Sequence, residues 1–507
     1  MHEQPGRWAL AGALTMVVGL ATSYAVAMVL TIRESPVVAV AELIIRITPG
    51  AVAEWLIDLV GQLDKPLLLL GIVVFLLAMG AFAGVLARTS TLKPLLVWLV
   101  LSAIGTGAVL VQPGANAVDV LPVVVGFVTW VVVLSAVTQP LVTARQRPEL
   151  ASRERRTFLV VAGVMGVAAI AIAGAGRFVG RGRRHVAESR RLLRLEGVTR
   201  EPAPAATTVD LVGVSPWQTP NDDFYLIHTA ISVPTIEPKD WSLRIHGLVD
   251  REVTLSFADL VSRRLTQAWI TLGCVSNEVG SDLIGNAWWS GVRIADILAE
   301  VGLDPSADCV LQTSEDGWNC ATPLTALTDD RNAMLAVAMN GRPLPIEHGF
   351  PVRTVVPGLY GYVSATKWVV DFEVTRFRDV AAFWTQRGWS EQGPVKISSR
   401  IDVPGDGDDV PVGALDVGGV AWAQHTGIAG VEVAVDGGEW QPATLGATPT
   451  DDSWVQWRLQ VDLEEGDHEL RVRAIDKDGL EQTGVRRDVL PDGATGWHTI
   501  QVGAVSG

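Results

Sequence analysis

The 507-residue sequence has only three cysteines, Cys274, Cys309 and Cys320. That is too few for a disulfide-dense scaffold, and an odd count leaves at least one thiol free or ligating. Histidine is missing over a long stretch, with none between His2 and His185. Membrane haem b is usually held by paired histidines, so no haem is expected in the apolar half of the chain. Basic residues are outnumbered, 40 Lys and Arg against 55 Asp and Glu, for a net charge of −15. A general nucleic-acid binder needs basic surface to meet phosphates, and this balance argues against one. Long internal repeats are also absent.

What the chain does have is hydrophobic sequence, unevenly placed. The mean hydropathy is +0.30, and residues 1–176 account for the excess. A spanning helix takes roughly 20 apolar residues. Five runs are read as spans: Trp8–Ile32, Pro66–Ala87, Pro94–Val111, Val118–Val137 and Phe158–Ala175. The stretch Val37–Leu63 is interrupted by Glu42, Arg46, Pro49, Glu54 and Asp58, and reads as an amphipathic interfacial segment. Arg7, Arg88, Lys93 and the cluster Arg145–Arg156 alternate with the base-free segment Gln112–Asp119. By the positive-inside rule the N-terminus lies inside and everything beyond residue 176 outside. Intramembrane charges spaced as an ion path are not evident, so this part reads as an anchor in the cell membrane.

The basic stretch "RFVGRGRRHVAESRRLLRLE" after the fifth run opposes that orientation. The residues ahead of the run reconcile the two. In "SRERRTFLVVAGVMGVAAIAIAGAG", Arg155 and Arg156 precede Phe158 and Leu159 and a weakly hydrophobic Gly/Ala-rich run. This is the order of a twin-arginine export signal, placed directly before the cargo it would carry. That route carries folded domains, so a basic segment beyond the span is less of a barrier, and folded cargo points to a cofactor inserted beforehand.

Residues 177–210 read as a linker that ends in "REPAPAATTVD". Beyond it, short β-rich runs alternate with short helical patterns, predicting an α+β domain over 211–392. Over 393–507, alternating strands with Asp436-Gly437 and Asp478-Gly479 turns predict a β-sandwich. Three stretches stand out: "NDDFYLIHTAISVP", "ITLGCVSNEVGSDLIGNAWWSGVRIADIL" and "MNGRPLPIEHGFPVRTVVPGLYGYVSATKWV". The third sets His348, Arg353 and Lys367 in a Gly/Pro frame where backbone can approach a ligand, and two cations suit a phosphate. No GxGxxG or Walker pattern accompanies it, so a nucleotide is not indicated. Cys274 follows a strand-like run, where a thiolate can be presented to a metal.

At these residues the chain resembles the sulfite oxidase family of molybdopterin enzymes, over about residues 211–507. The resemblance implies a sulfite-oxidase-fold domain and a C-terminal immunoglobulin-like domain through which the protein would form a homodimer. It implies a molybdenum–molybdopterin cofactor with Cys274 as the thiolate ligand of the metal. His348, Arg353, Ala365, Thr366 and Lys367 would hold the pterin and its phosphate. Tyr225, Leu226, Ile227, His228 and Thr229 would form another wall, with Thr313 and Glu315 as further contacts. Cys309 and Cys320 are expected as buried thiols, or as a disulfide if the domain is outside.

The sequence departs from the family where sulfite is held. Ile227 stands in place of an arginine, Glu278 and Val279 replace an Arg-Arg pair, and Trp389 occupies the active-site tyrosine position. Arg387 and Trp389 are taken with Cys274 as the catalytic set. A dianion needs charge-assisted hydrogen bonds, so a less charged substrate such as a sulfoxide or N-oxide is expected. No cytochrome b5-like segment is present, so a separate electron carrier, a quinone or a cytochrome, is implied. The alternatives are sulfite oxidation through a rearranged anion site, or a non-catalytic adhesion or sensor ectodomain on a membrane anchor.

Overall fold

The computed structural model describes residues 5–30, 32, 34–49, 52, 56, 60, 63–112, 115–147, 151–179 and 182–506. The chain forms two compact units, Met1–Glu188 with Ala230–Pro234, and Ser189–Thr229 with Thr235–Gly507.

The first unit is helical: α1 (Pro5–Val29), α2 (Pro36–Ile47), α3 (Asp64–Leu86), α4 (Leu92–Leu110), α5 (Leu121–Gln146) and α6 (Ala151–Val179). Among the described residues, four helical segments are long and apolar enough to cross a membrane: Pro5–Val29, Asp64–Leu86, Leu92–Leu110 and Ala117–Gln146. They coincide with the first four apolar runs. The fifth run lies in α6, whose apolar stretch, Arg156–Ile172, is shorter. Small residues set the packing: a Cβ on Gly12 would fall 2.0 Å from the Gly80 carbonyl oxygen, so α1 and α3 touch backbone to backbone. Leu70, Phe75, Val100 and Val132 are each more than half exposed. The stretch Val37–Leu63 begins with a short helix that buries one face. There α2 buries Ala39, Ala41 and Glu42, and Ala39 packs with Ala108, Val109 and Val123. Glu54 and Asp58 lie outside the described residues.

The stretch read as a linker carries the helix α7 (Gly182–Leu192). Its later part docks rather than hangs free: Leu193 and Leu195 pack against the core of the second unit. Arg190 donates to the carbonyls of Pro343 and Leu344, and Thr207 is fully buried.

The second unit is β-rich. Its first layer holds β1 (Ser242–Gly247), β2 (Val253–Ser256), β3 (Thr266–Gly273), β4 (Ile284–Arg293) and β5 (Cys309–Ser314). It continues with β6 (Asn319–Pro323), β7 (Met334–Met339), β8 (Arg342–Pro343), β9 (Arg353–Val355) and β10 (Val369–Thr375). One sheet runs β2-β1-β10-β5-β6 and the other β3-β4-β7-β8, with β9 on β7. Short helices, α8 (Phe257–Val261), α9 (Ile294–Val301) and α10 (Leu324–Thr328), complete an α+β arrangement. The alternating apolar residues of α9, Ile294, Ile297, Leu298 and Val301, enter the shared core.

The C-terminal part has β11 (Ser398–Val403), β12 (Asp409–Pro411), β13 (Gly413–Trp422), β14 (Ile428–Val435) and β15 (Gln441–Pro442). They are followed by β16 (Thr444–Leu445), β17 (Val455–Leu463), β18 (Gly466–Asp476) and β19 (His498–Val505). Two sheets, β11-β13-β17-β16 and β12-β19-β18-β14-β15, enclose one core that includes Trp457, Val431 and Leu470. The Asp436-Gly437 turn forms as the sequence predicts: both residues have positive φ, 52° and 69°, and Gly438 N–H closes the turn on the Val435 carbonyl. A separate tryptophan-rich cluster, Trp217, Trp269, Trp422 and Trp454 with Ile284, ties the C-terminal sheets to β3 and β4.

Candidate functional site

The β3–β4 hairpin presents Cys274. The last five residues of β3 are buried, and the chain leaves the sheet at the thiol. Cys274 N–H donates to the Leu283 carbonyl at 2.9 Å. Asn277 braces the loop by accepting from Leu283 N–H at 2.8 Å. Burial pushes the Cys274 thiol up, while the N–H and hydroxyl of Ser276 and the Lys367 ammonium pull against it. Those donors are what a thiolate would need.

The third stretch closes on the same place. After β7 the chain turns through Asn340-Gly341 and reaches Gly349, whose φ is +108°. A Cβ there would meet Arg353 Cβ at 2.9 Å and Lys367 Cα at 3.2 Å, so only glycine lets these two cations approach. Arg353 is 3% exposed and lies 5.2 Å over the Trp289 ring. Its hydrogen bonds go to the carbonyls of Thr354 and His348, and burial lowers it to about 10. Among the described residues no carboxylate pairs with it. His348 is 6% exposed with Nδ1 unpartnered. Burial, Lys367 and Arg353 lower it to about 3, so it is neutral at ordinary pH. A buried guanidinium without a counter-ion and an orphaned imidazole nitrogen together mark a place for an anionic, hydrogen-bonding group.

The first stretch forms another side. Asn340 Nδ2 donates to Asn221 Oδ1 at 2.7 Å, and Phe224 meets His348 edge-to-face at 5.8 Å. Tyr225 stacks on Phe224. Its hydroxyl is raised by burial and by Cys274, and lowered in turn by Arg353. Lys367 Nζ donates to the Ile227 carbonyl at 3.1 Å, and His228 stands edge-on to Trp368. Leu226 and Ile227 are nearly half exposed. Tyr225, Cys274, His348, Arg353 and Lys367 therefore share one electrostatic neighbourhood. Ala365 is close to them: its Cβ and the Tyr225 hydroxyl lie 3.5 and 3.8 Å from where a Cβ on Gly361 would sit.

Other expected residues fall elsewhere. Thr366 is fully buried, its N–H donates to Thr354 Oγ1 at 2.7 Å, and its hydroxyl meets Cys320 Sγ at 3.2 Å. Its polar groups are used inside the core, which corrects its reading as a pterin contact. Thr313 pairs with Asp371 and Asn319 on the face of β5 opposite the buried Gln312. Glu315 N–H donates to the Trp368 carbonyl. Arg387 folds over its own turn, 3.7 Å above the Phe383 ring and donating to the Phe383 carbonyl. Trp389 is buried against Tyr362 and Trp384. Trp389 is thus packed into the core, which corrects its reading as a catalytic residue, while Arg387 stays part-exposed over its own turn. Cys309 and Cys320 are free and buried.

A small pocket with about 10 Å³ of room, the scale of a single water, opens at Cys274. Glu278 and Val279 line it, together with Asn277, Tyr360, Ser398 and Trp422, and no Lys or Arg does among the described residues. Tyr360 stands within the quoted third stretch but carried no separate signal there. Ser398 and Trp422 come from the C-terminal sheets, and no local motif marks them. Ile227 and Trp389 are not part of this wall.

Residues 230–384 match the oxidoreductase molybdopterin binding domain. The sulfite oxidase of Macaca fascicularis mitochondria is 28% identical over 356 residues, covering 60% of this chain and 63% of that protein. An oxidoreductase of Bacillus subtilis, YuiH, is 35% identical over 181 residues, 36% of this chain and 87% of that one. The solved structure of the sulfane dehydrogenase SoxCD from Paracoccus pantotrophus aligns with a TM-score of 0.49 at 23% identity, over 62% of this chain and 88% of that one. The chain thus spans under two thirds of the sulfite oxidase it matches. The domain match and the relatives support a molybdenum–molybdopterin cofactor, and the uncompensated Arg353 and orphaned His348 Nδ1 fit its anionic part. The chain belongs to the sulfite oxidase family of molybdopterin-binding oxidoreductases.

Proposed function

We propose that the protein is a membrane-anchored reductase of a small S-oxide or N-oxide, with Cys274 as the thiolate ligand of molybdenum. His348, Arg353 and Lys367 hold the pterin phosphate, and Tyr225 to Thr229 with Ala365 wall the pterin. The cofactor, when bound, supplies two-electron exchange and an acceptor for one oxygen atom. The net reaction is X=O + 2H⁺ + 2e⁻ → X + H₂O, with both electrons from a separate quinone or cytochrome. This chain's residues bind the substrate, keep the thiolate charged and limit water around it.

The observation that carries the substrate reading is the wall of the Cys274 pocket, which holds the Glu278 carboxylate and, among the described residues, no Lys or Arg. A sulfite-like dianion would lose charge-assisted hydrogen bonds there and face a like charge. Residues 1–176 are the anchor, with α6 as a fifth span that also serves as the twin-arginine signal. Residues 211–392 are the cofactor domain, on the extracytoplasmic side. Residues 393–507 are an immunoglobulin-like dimerisation domain, a reading supported by the two sheets around one core.

The test is elemental and pterin analysis of purified protein, followed by a substrate panel with a reduced viologen as the electron donor. About one molybdenum and one pterin per chain, with reduction of dimethyl sulfoxide or trimethylamine N-oxide, is expected. Efficient oxidation of micromolar sulfite would overturn the substrate reading. Absence of molybdenum would return the adhesion or sensor alternative.

A further inference from the structure

The wall of the Cys274 pocket comes from both layers of the second unit. Ser398 and Trp422 face each other across the β11–β13 pair, and both reach the pocket. Trp422 is 4% exposed and packs with Ile284, which also lines the pocket. A buried indole N–H normally finds an acceptor, as Trp217 and Trp454 do on each other's carbonyls. The Trp422 N–H has no acceptor among the described residues, nor is it sealed in a dry core as the Trp389 N–H is.

Tyr360 repeats the pattern. It is 6% exposed and lies beside Cys274, and its hydroxyl accepts a long 3.4 Å bond from Lys396 N–H. Among the described residues it donates to nothing. Two side chains from different layers, each more than nine-tenths buried, thus bring to one pocket a donor that reaches no acceptor among the described residues. Among the described residues of that wall, Glu278 is the one Asp, Glu, Lys or Arg.

We infer that Trp422 and Tyr360 are the hydrogen-bond donors to the oxygen of an uncharged or cationic oxo-substrate, and that Glu278 at the same wall excludes anions. Neutral donors bind the polar S=O or N–O oxygen without asking for net negative charge. The inference rests on the proposed reductase reading for its substrate class, but the donor assignment is separable from turnover.

The test uses full-length protein in detergent and the variants Trp422→Phe, Tyr360→Phe, their double variant and Glu278→Lys. Molybdenum and pterin content is measured first and should match wild type in all four, since none of these residues is placed on the cofactor's phosphate. Binding is then followed by saturation-transfer NMR with dimethyl sulfone, which offers S=O oxygens but is not the substrate. Each Phe variant should weaken binding several-fold and the double variant by tenfold or more, with a parallel rise in KM for dimethyl sulfoxide. Glu278→Lys should improve competition by sulfate at least tenfold. Unchanged sulfone binding in the double variant, with cofactor content intact, overturns the donor assignment. Unchanged sulfate competition in Glu278→Lys overturns the charge filter. If wild type binds sulfone through these donors but reduces no S- or N-oxide, the reductase reading fails and the donor assignment stands.

Discussion

Serine in place of Cys274 keeps the shape of the β3–β4 turn but removes the soft, ionisable sulfur. The cations and imidazole proposed for the pterin lie on other segments, so Cys274→Ser should retain pterin and lose most turnover, about 100-fold or more. Pterin fluorescence and activity on one sample check this. Arg353→Gln should do the converse. A lost charge-assisted hydrogen bond costs about 1.5–3 kcal/mol, so pterin retention after dialysis should fall by about tenfold or more. His348 gives a pH prediction. The unfolded imidazole takes a proton near 6.5, and the folded one only near 3. Unfolding is therefore increasingly favoured as pH falls across that window. His348→Gln should flatten the loss, seen as a smaller difference between denaturation midpoints at pH 7.5 and 5. Cys274, His348, Arg353 and Lys367 were legible because motif order places them together. Thr366 and Trp389 turn into the core, and sequence adjacency does not say which way a side chain turns. Thr366 turns to Cys320 and Thr354, and Trp389 turns to Tyr362.

At the level of elements, the strongest local signals held. The Asp436-Gly437 pair makes a turn with both φ values positive, the geometry that matches strand twist. Gly437 has open space where a Cβ would sit, so the cost of a side chain there is conformational alone. Gly437→Ala should destabilise the C-terminal sheets by about 1–2 kcal/mol, measured by thermal denaturation, with cofactor content unchanged. Helix α9 was legible from its apolar spacing. Helix α7 was not, because "GRRHVAESRRL" is so polar that its 3.6-residue pattern carries little apolar signal. For α2 the amphipathic pattern of the sequence did not say that Glu42 would lie on the buried face, where it is 8% exposed.

For the whole molecule, the order of segments was readable while the pocket was not. Apolar runs, the basic cluster and the change of texture near residue 211 divide the chain by composition alone. The Cys274 pocket depends on Tyr360, Ser398, Trp422 and Ala494, 86 to 220 positions away, meeting it in space, and pairwise proximity of that kind leaves no local trace. The export reading makes a prediction at this scale. Replacing Arg155 and Arg156 by Lys should leave the first four spans inserted and strand the cofactor domain on the cytoplasmic side. Protease protection of the β-rich unit in spheroplasts checks it, and a domain still digested from outside would mean another route moves it.

Trp422 and Ser398, on β13 and β11, are made long after Cys274 and Tyr360. During synthesis the thiol and the tyrosine leave the ribosome with one side of their cavity missing. A chain interrupted before residue 398 would lack the Ser398 and Trp422 side of that pocket. The wall around the thiol is therefore a late product of synthesis, closed only after β13 has been made and has paired with β11.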